Sequence, residues 1–425
     1  MTIGIGGSTR EAALASLQPP PGDAEPTGLA EYRARIARAQ ALMREQGLAA
    51  IYLHAGTSLR YFTGLIWRGS ERLVGALLPA DGEPEFLAPA FEEGTIRGYQ
   101  VVPGTIHTWH EHENPCRLLR ARLDALDPAR GRRVGLCEGT PFFVVDGLRE
   151  VAGDWQFVNA RPATAACRMH KSAQELALMQ RAHDMTLAVH QATARMLHEG
   201  VTTAEVEDFI DAAHRRVGAA GSYFCIVLFG ADSAFPHGVK NPKPLALGDM
   251  VLIDTGCLVH GYMSDITRSY VFGTPSARQR ELWNLEKAAQ AAAFAAAQIG
   301  VPCQDVDAAA RGCLERHGLG PGYALPGLPH RTGHGIGLDI HEWPYLVGGD
   351  TTPLAPGMCF SNEPMICVPG EFGIRHEDHF YLTPQGPRWF TQPAHSIDDP
   401  FGAGIGSGEQ ENARARAEVG RAWSG

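Results

Sequence analysis

The sequence predicts a two-domain protein of α/β (α+β) class, and three observations lead there. The chain has 425 residues, too many for one ordinary hydrophobic core. Its first half alternates strand-like apolar runs with helical patterns to about residue 160. Its second half carries an internal echo: Gly200-Val201, Val206 and Glu207 recur 100 residues later as Gly300-Val301, Val306 and Asp307. Each copy follows one helix and opens another, and each leads through an apolar stretch to Pro-His, at Pro236-His237 and Pro329-His330. We read the echo as a duplicated helix–helix–strand unit with pseudo-two-fold symmetry. A site between such halves is lined by both copies, and His237 and His330 then face each other across it.

Taken in order, residues 1–28 read as an irregular N-terminal arm, because Pro19 to Pro26 (PPPGDAEP) is rich in proline. The N-terminal domain follows over 29–165. It opens with a helix from Leu29 to Gln46, stopped by Gly47, and an apolar strand from Leu48 to His54 (LAAIYLH). Further strands are expected at Val74–Leu78 and Phe157–Asn159. The second domain spans 166–400. Ser172 with Glu175 three residues later is a capping box, and Leu176, Met179, Ala182 and Leu187 then recur at helical spacing. Thr202 and Glu205 repeat the device for a second helix. From 401 to 425 the chain turns Gly-rich and then polar, and is expected to be a flexible tail.

Composition narrows the class. A hydrophobic content of 44% and a charged content of 20% describe a globular protein, and the net charge of −10 argues against a nucleic-acid partner. Nine cysteines, odd in number and without a CxxC, are expected as reduced thiols, with Cys257 and Cys367 packing near the site. The first residues lack a basic n-region and a continuous apolar run, and no stretch approaches the roughly 20 apolar residues of a membrane span. A cytoplasmic protein without membrane contact is the expectation. The Ala-rich run Ala288 to Val301 is read as a packed helix.

Four segments of the second domain carry candidate chemistry. In Val251-Leu252-Ile253-Asp254-Thr255-Gly256 and Ser264-Asp265-Ile266-Thr267-Arg268, two strand-like runs flank a Gly-containing turn, so a hairpin is expected with Asp254 at a buried strand end. A carboxylate there needs a cation or strong hydrogen bonds. In His330-Arg331-Thr332-Gly333-His334-Gly335-Ile336-Gly337, with His341-Glu342-Trp343-Pro344 close behind, three imidazoles fall within 12 residues. The interleaved glycines are expected to permit close backbone approach and positive φ. The third and fourth segments are Ser361-Asn362-Glu363-Pro364 and Gly373-Ile374-Arg375-His376-Glu377-Asp378. Together Asp254, Asp265, His334, Glu363 and Glu377 make a ligand set for two divalent metals. Oxygen ligands with one imidazole suit Mn²⁺, Zn²⁺, Co²⁺ or Fe²⁺. Two such ions about 3.5–4 Å apart can share one hydroxide that attacks an amide.

In this ordered set, over about residues 168–395, the chain resembles the pita-bread metallopeptidases, a group that includes methionine aminopeptidase, aminopeptidase P, prolidase and creatinase. The N-terminal half is similar to the creatinase-type domain of the prolidase and aminopeptidase P branch, through the helix from Leu29, LAAIYLH and Arg60-Tyr61-Phe62-Thr63-Gly64. The resemblance implies that Asp254 chelates one metal, that Asp265 and Glu377 bridge both, and that His334 and Glu363 complete the second. It implies that Glu363 handles the proton of the nucleophilic water, and that His237 and His330 hydrogen-bond the substrate carbonyl or the oxyanion. It implies that His341 contacts the proline of the substrate and that Arg375 orients the site. One departure stands out: many relatives of this branch have Tyr at the position of Cys367.

The implied activity is hydrolysis of the Xaa-Pro bond of dipeptides (prolidase) through a dinuclear metal-bridging hydroxide. The expected cofactors are two divalent ions, Mn²⁺ first, with Zn²⁺ or Co²⁺ as alternatives. The expected partners are a small peptide with proline at its second position and a second copy of the chain, as a homodimer. Aminopeptidase P activity on longer peptides is the alternative within the family. A hydrolase like those that open the ectoine ring, or a lyase acting on dimethylsulfoniopropionate, is the alternative on the same fold. The lyases carry an extra carboxylate near the position of Gly256. His107-Thr108-Trp109-His110-Glu111-His112 is a candidate loop for closing the site beyond proline.

Overall fold

Gly47, with φ of 65°, ends helix Leu29–Glu45 and turns the chain into strand Ala50–His54, every residue of which is buried. The structure is a computed structural model and describes residues 2–22 and 24–404. The expected tail lies outside the described residues from 405 onward. Two compact units are present: Pro26–Met169, and residues 1–25 with 170 onward.

The Pro26–Met169 unit is built on a six-stranded mixed sheet. Ala50–His54 pairs in antiparallel fashion with Gly75–Pro79 and parallel with Arg133–Leu136, which pairs parallel with Gln156–Asn159. Tyr52, Leu77, Leu119, Val134 and Leu148 pack into one of its cores. The candidate loop from His107 is in part a strand. Ile106–Trp109 pairs with Glu85–Pro89, His107 Nε2 meets Glu85 Oε2 at 3.2 Å, and Trp109 Nε1 donates to Leu73 O.

The N-terminal arm is not irregular throughout, as the proline content had suggested. Helix Arg10–Ala15 is capped by the Thr9 side chain. Backbone amides of Ile3, Gly6 and Ser8 donate to Asp398, Ala194 and Arg195, so the arm is fastened to the second unit.

That unit contains the repeat, and the hydrogen bonds make it visible. Helices Ala173–Met196 and Thr203–Arg216 precede strand Phe224–Phe229, and helices Ala277–Ala296 and Cys303–Glu315 form the second pair. Both capping boxes of the first pair form as expected. Between the helices of each pair sits the same clasp. Gly200 N–H donates to Leu245 O and Leu245 N–H to Val201 O; Gly300 N–H donates to Leu354 O and Leu354 N–H to Val301 O. Gly200 and Gly300 have φ of 85° and 84°. Beyond the clasps, Gly248 and Gly357, again both at positive φ, lead into strands Met250–Gly256 and Cys359–Asn362. Asp254 and Glu363 each stand nine residues after Leu245 and Leu354. They are equivalent positions of the two copies.

The first copy's sheet has strand order Ile266–Val271, Met250–Gly256, Phe224–Phe229, all antiparallel. The second copy's sheet of five strands places Gly333–Gly335 and Asp378–Thr383 on either side of Cys359–Asn362. An antiparallel bridge between Thr267 and Glu377 joins the two copies at the candidate site. No helix among the described residues is long and apolar enough to cross a membrane.

Candidate metal centre

Each candidate ligand is delivered by the end of a buried strand. Asp254 lies in Met250–Gly256 opposite Thr267, and Asp265 precedes Ile266–Val271. Thr267 fastens Glu377 twice: its Oγ1 donates to Glu377 Oε2 at 2.6 Å, and its carbonyl accepts from Glu377 N–H at 3.1 Å. Glu363 follows Cys359–Asn362, with its N–H on Thr332 O at 2.8 Å. Behind the site, Arg268 donates to the Glu377 carbonyl and pairs with Asp378 at 2.6 Å, fully buried, so the strand bearing Glu377 is held from its far face.

His334 is set by its glycines through space and not through φ. A Cβ on Gly333 would lie 2.1 Å from Ser361 O, and one on Gly335 2.6 Å from Glu342 O. Neither glycine has positive φ, contrary to that part of the expectation. His334 Nδ1 donates to Gly335 O at 3.0 Å, which turns Nε2 toward the site. Nε2 lies 3.1 Å from Glu363 Oε1 and 3.7 Å from Asp265 Oδ2. Two carboxylates facing this nitrogen call for a positive charge between them, a proton on Nε2 or a metal ion in its place.

The carboxylates make the same demand. Burial, then the charges of Glu377, Asp254 and Glu363, drive Asp265 well above its ordinary range. Burial and the charges of Glu363 and Asp254 do the same to Glu377. Burial raises Asp254 as well, against the pull of Arg375. Burial also works against ionised Glu363, but the hydrogen bond and charge of His334, with His330 and Arg375, outweigh it and hold Glu363 well below its ordinary range. No protein donor reaches Asp254 Oδ1, Asp265 Oδ1 or Glu377 Oε1. Buried oxygens without donors are costly, and divalent cations bound between them remove that penalty. The residues present therefore fit a divalent metal centre.

The remaining candidates surround this cluster. Arg375 Nε donates to Thr267 Oγ1 at 2.9 Å and Nη2 to Asp254 Oδ2 at 2.5 Å. His341 lies at the solvent-exposed rim with its ring centroid 4.2 Å from that of His334, and its pKa falls to about 4 through burial and the neighbouring His334. His237 is exposed, and its charge bears on both His330 and His341. His330 differs from expectation in one respect. Its Nδ1 donates to Arg331 O at 2.7 Å, which leaves Nε2 of the neutral ring an acceptor. Donation to an oxyanion needs the charged ring, which burial opposes and Glu363 favours. Cys367 is buried in strand Met365–Val368 with its thiol pushed up to about 11 by burial, so the thiol stays neutral. All nine cysteines are free.

Sequence reasoning missed three contributors. Thr267 is one, legible only once the bridge to Glu377 is seen. Another is the buried pair Lys171–Glu342 at 3.1 Å, in which Glu342 also accepts from Leu338 and Asp339 N–H and so shapes the turn carrying His341. The third is His379, which joins Asp265, His334 and Glu377 in one cluster. Its signal was available: residues two apart on a strand face the same side.

Known proteins resemble the chain along nearly all of its length. A family profile described as metallopeptidase family M24 matches residues 177–384, and one described as creatinase/prolidase N-terminal domain matches residues 35–170. The chain is 32% identical to YkvY of Bacillus subtilis (strain 168) over 363 residues, 84% of this chain and 97% of that one. The crystal structure of dipeptidase PepE from Mycobacterium ulcerans superposes with a TM-score of 0.80 at 33% identity, covering 88% of this chain and 99% of that one. Recombinant prolidase from Thermococcus sibiricus gives 0.76 at 28% identity, over 85% and 97% of the two chains.

Proposed function

The chain belongs to metallopeptidase family M24, with a creatinase-type N-terminal domain and a pita-bread domain, and on that premise we propose that it hydrolyses the Xaa-Pro bond of dipeptides. The observation that carries the reading is the buried cluster in which Asp265, Glu363 and Glu377 gather at His334, with Asp254 next to Asp265 and carboxylate oxygens that no protein donor reaches. Asp254, Asp265, His334, Glu363 and Glu377 would hold two divalent ions. Those ions, when bound, supply Lewis acidity and lower the pKa of a coordinated water toward neutrality.

The protein groups divide the remaining work. Glu363 is kept ionised by His334 and accepts from Ser361 Oγ at 3.0 Å, so one oxygen is oriented and the carboxylate can take a proton from the attacking water. Arg375 fixes the Asp254 carboxylate. His237, which is exposed, donates to the developing oxyanion; His330 assists only in its charged form. His341 lines the path for the proline ring. The Xaa-Pro bond has no N–H, so a site built on side-chain donors suits it better than one built on backbone pairing.

Dipeptides are preferred over longer substrates here because similar structures bear the names dipeptidase and prolidase, and because the chain keeps His341-Glu342-Trp343-Pro344. The lyase alternative is disfavoured at Gly256, where a Cβ would lie 1.9 Å from Ser264 O and no extra carboxylate fits. The test is a panel of Xaa-Pro dipeptides and Xaa-Pro-Yaa tripeptides after chelation and after return of Mn²⁺, Co²⁺ or Zn²⁺. Chelation should abolish turnover and metal should restore it, with dipeptides faster. Full activity without metal would overturn the reading, and faster tripeptide turnover would move the chain to aminopeptidase P.

A further inference from the structure

Five ligands account for the two-metal reading, and they leave one side chain of the cluster unused. His379 follows Glu377 by two residues, so both point to the same side of the sheet, while Asp378 between them turns away to Arg268. The ring is fully buried, and neither nitrogen makes a hydrogen bond of good geometry, although the Asp265 backbone lies alongside. One nitrogen of His379 and one ligand atom each of Asp265, His334 and Glu377 all lie within 4.8 Å of one another. Nitrogen and oxygen ligands bind such ions at about 2.0–2.2 Å, so two ligands on opposite sides of one ion stand up to about 4.4 Å apart. The observed span is a small contraction away from one coordination sphere.

The surroundings do not explain the histidine in another way. His183 flanks it at 4.9 Å between ring centroids, stacks on Phe390, and spends its own Nδ1 on Met179 O. Those rings form a wall that offers His379 no hydrogen-bond partner. A buried imidazole with a nitrogen among three candidate metal ligands, and only the Asp265 backbone beside it, has the environment of a ligand.

We propose that His379 is a metal ligand in addition to the five, giving the ion on His334 a second imidazole. The inference rests on the metallopeptidase reading and refines it. Two imidazoles with carboxylates are a softer donor set than one, and they shift preference from Mn²⁺ toward Zn²⁺ and Co²⁺. This inverts the order of metals expected from sequence.

The test uses the full chain loaded with two zinc ions. X-ray absorption should count two imidazoles per zinc pair. In His379→Leu the count should fall to one, zinc affinity measured by chelator competition should drop at least about 10–100-fold, the loss that even a supporting partner of a ligand causes, and Mn²⁺ affinity should change less. One imidazole per zinc pair in the unaltered protein overturns the proposal, whether or not the variant folds. An unchanged zinc affinity in folded His379→Leu does so too, while peptidase activity would stand. A protein that holds no divalent metal would instead sink the metallopeptidase reading itself.

Discussion

Arg375 Nη2 lies 2.5 Å from Asp254 Oδ2, and both side chains are buried. The contact ties the second copy of the repeat to the first at the ligand that heads the site. Burial disfavours charge on Arg375, yet Asp254, Glu377, Glu363 and Asp265 together hold it firmly protonated. The guanidinium is thus a permanent cation among four carboxylates.

Replacing Arg375 by Met should therefore destabilise the chelated protein strongly. Loss of one partner of a buried pair costs about 3–5 kcal/mol. Added metal supplies the missing positive charge, so the gap in Tm between variant and parent should narrow on metal addition. Thermal melts of both proteins with and without chelator measure this. An equal gap in both conditions would show that Arg375 acts by packing alone.

The two Pro-His histidines should not be equivalent. His330 has committed Nδ1 to Arg331 O, whereas His237 is exposed. His237→Ala should lower kcat by about 10²–10³-fold, as the loss of an oxyanion donor does elsewhere. His330→Ala should lose less at neutral pH, and neither should release metal. Steady-state kinetics on an Xaa-Pro dipeptide, with metal analysis of each variant, decide the order.

A proton count tests the buried histidine wall. Burial lowers His183 from 6.5 to about 4. The unfolded ring takes a proton below about 6.5 and the folded ring only near about 4, so between those values unfolding binds one proton. Stability from this group is complete above the upper value and falls as the pH drops through the window. His183→Leu should flatten the acid limb of stability between about pH 6 and 4.5 by about one proton. Denaturant melts across that range would show it, and an unchanged slope would mean that His183 is protonated in the folded state.

Much of this was legible because it is local. The boxes Ser172–Glu175 and Thr202–Glu205 act over three residues, and both formed. Asp254, Asp265, His334, Glu363 and Glu377 each announce themselves by a charge or imidazole next to an apolar run. What stayed hidden depends on pairing between distant strands. Thr267 matters only because it bridges Glu377, 110 residues away, and His379 only because its strand lies two places from that of His334 in the same sheet. Helix Arg10–Ala15 was masked by the prolines that follow it. The glycines around His334 were rightly singled out for close approach, but the strand geometry that demands it could not be read from spacing.

The repeat itself makes the last prediction. Gly200 and Gly300 occupy equivalent clasps at φ of 85° and 84°, and an added Cβ at either would meet nothing within 4 Å. Steric crowding is therefore absent and only the backbone conformation opposes a side chain. Left-handed backbone costs an L-residue about 1–2 kcal/mol relative to glycine. Gly200→Ala and Gly300→Ala should each destabilise the catalytic unit by about that amount, and by similar amounts, because the same hydrogen bonds to Leu245 and Leu354 surround them. Neither lies among the candidate ligands, so kcat and metal content should be unchanged. Denaturant unfolding of the two variants measures the pair of values. A large difference between them would mean that the two clasps, though alike in geometry, do not bear the same load in holding the halves of the site.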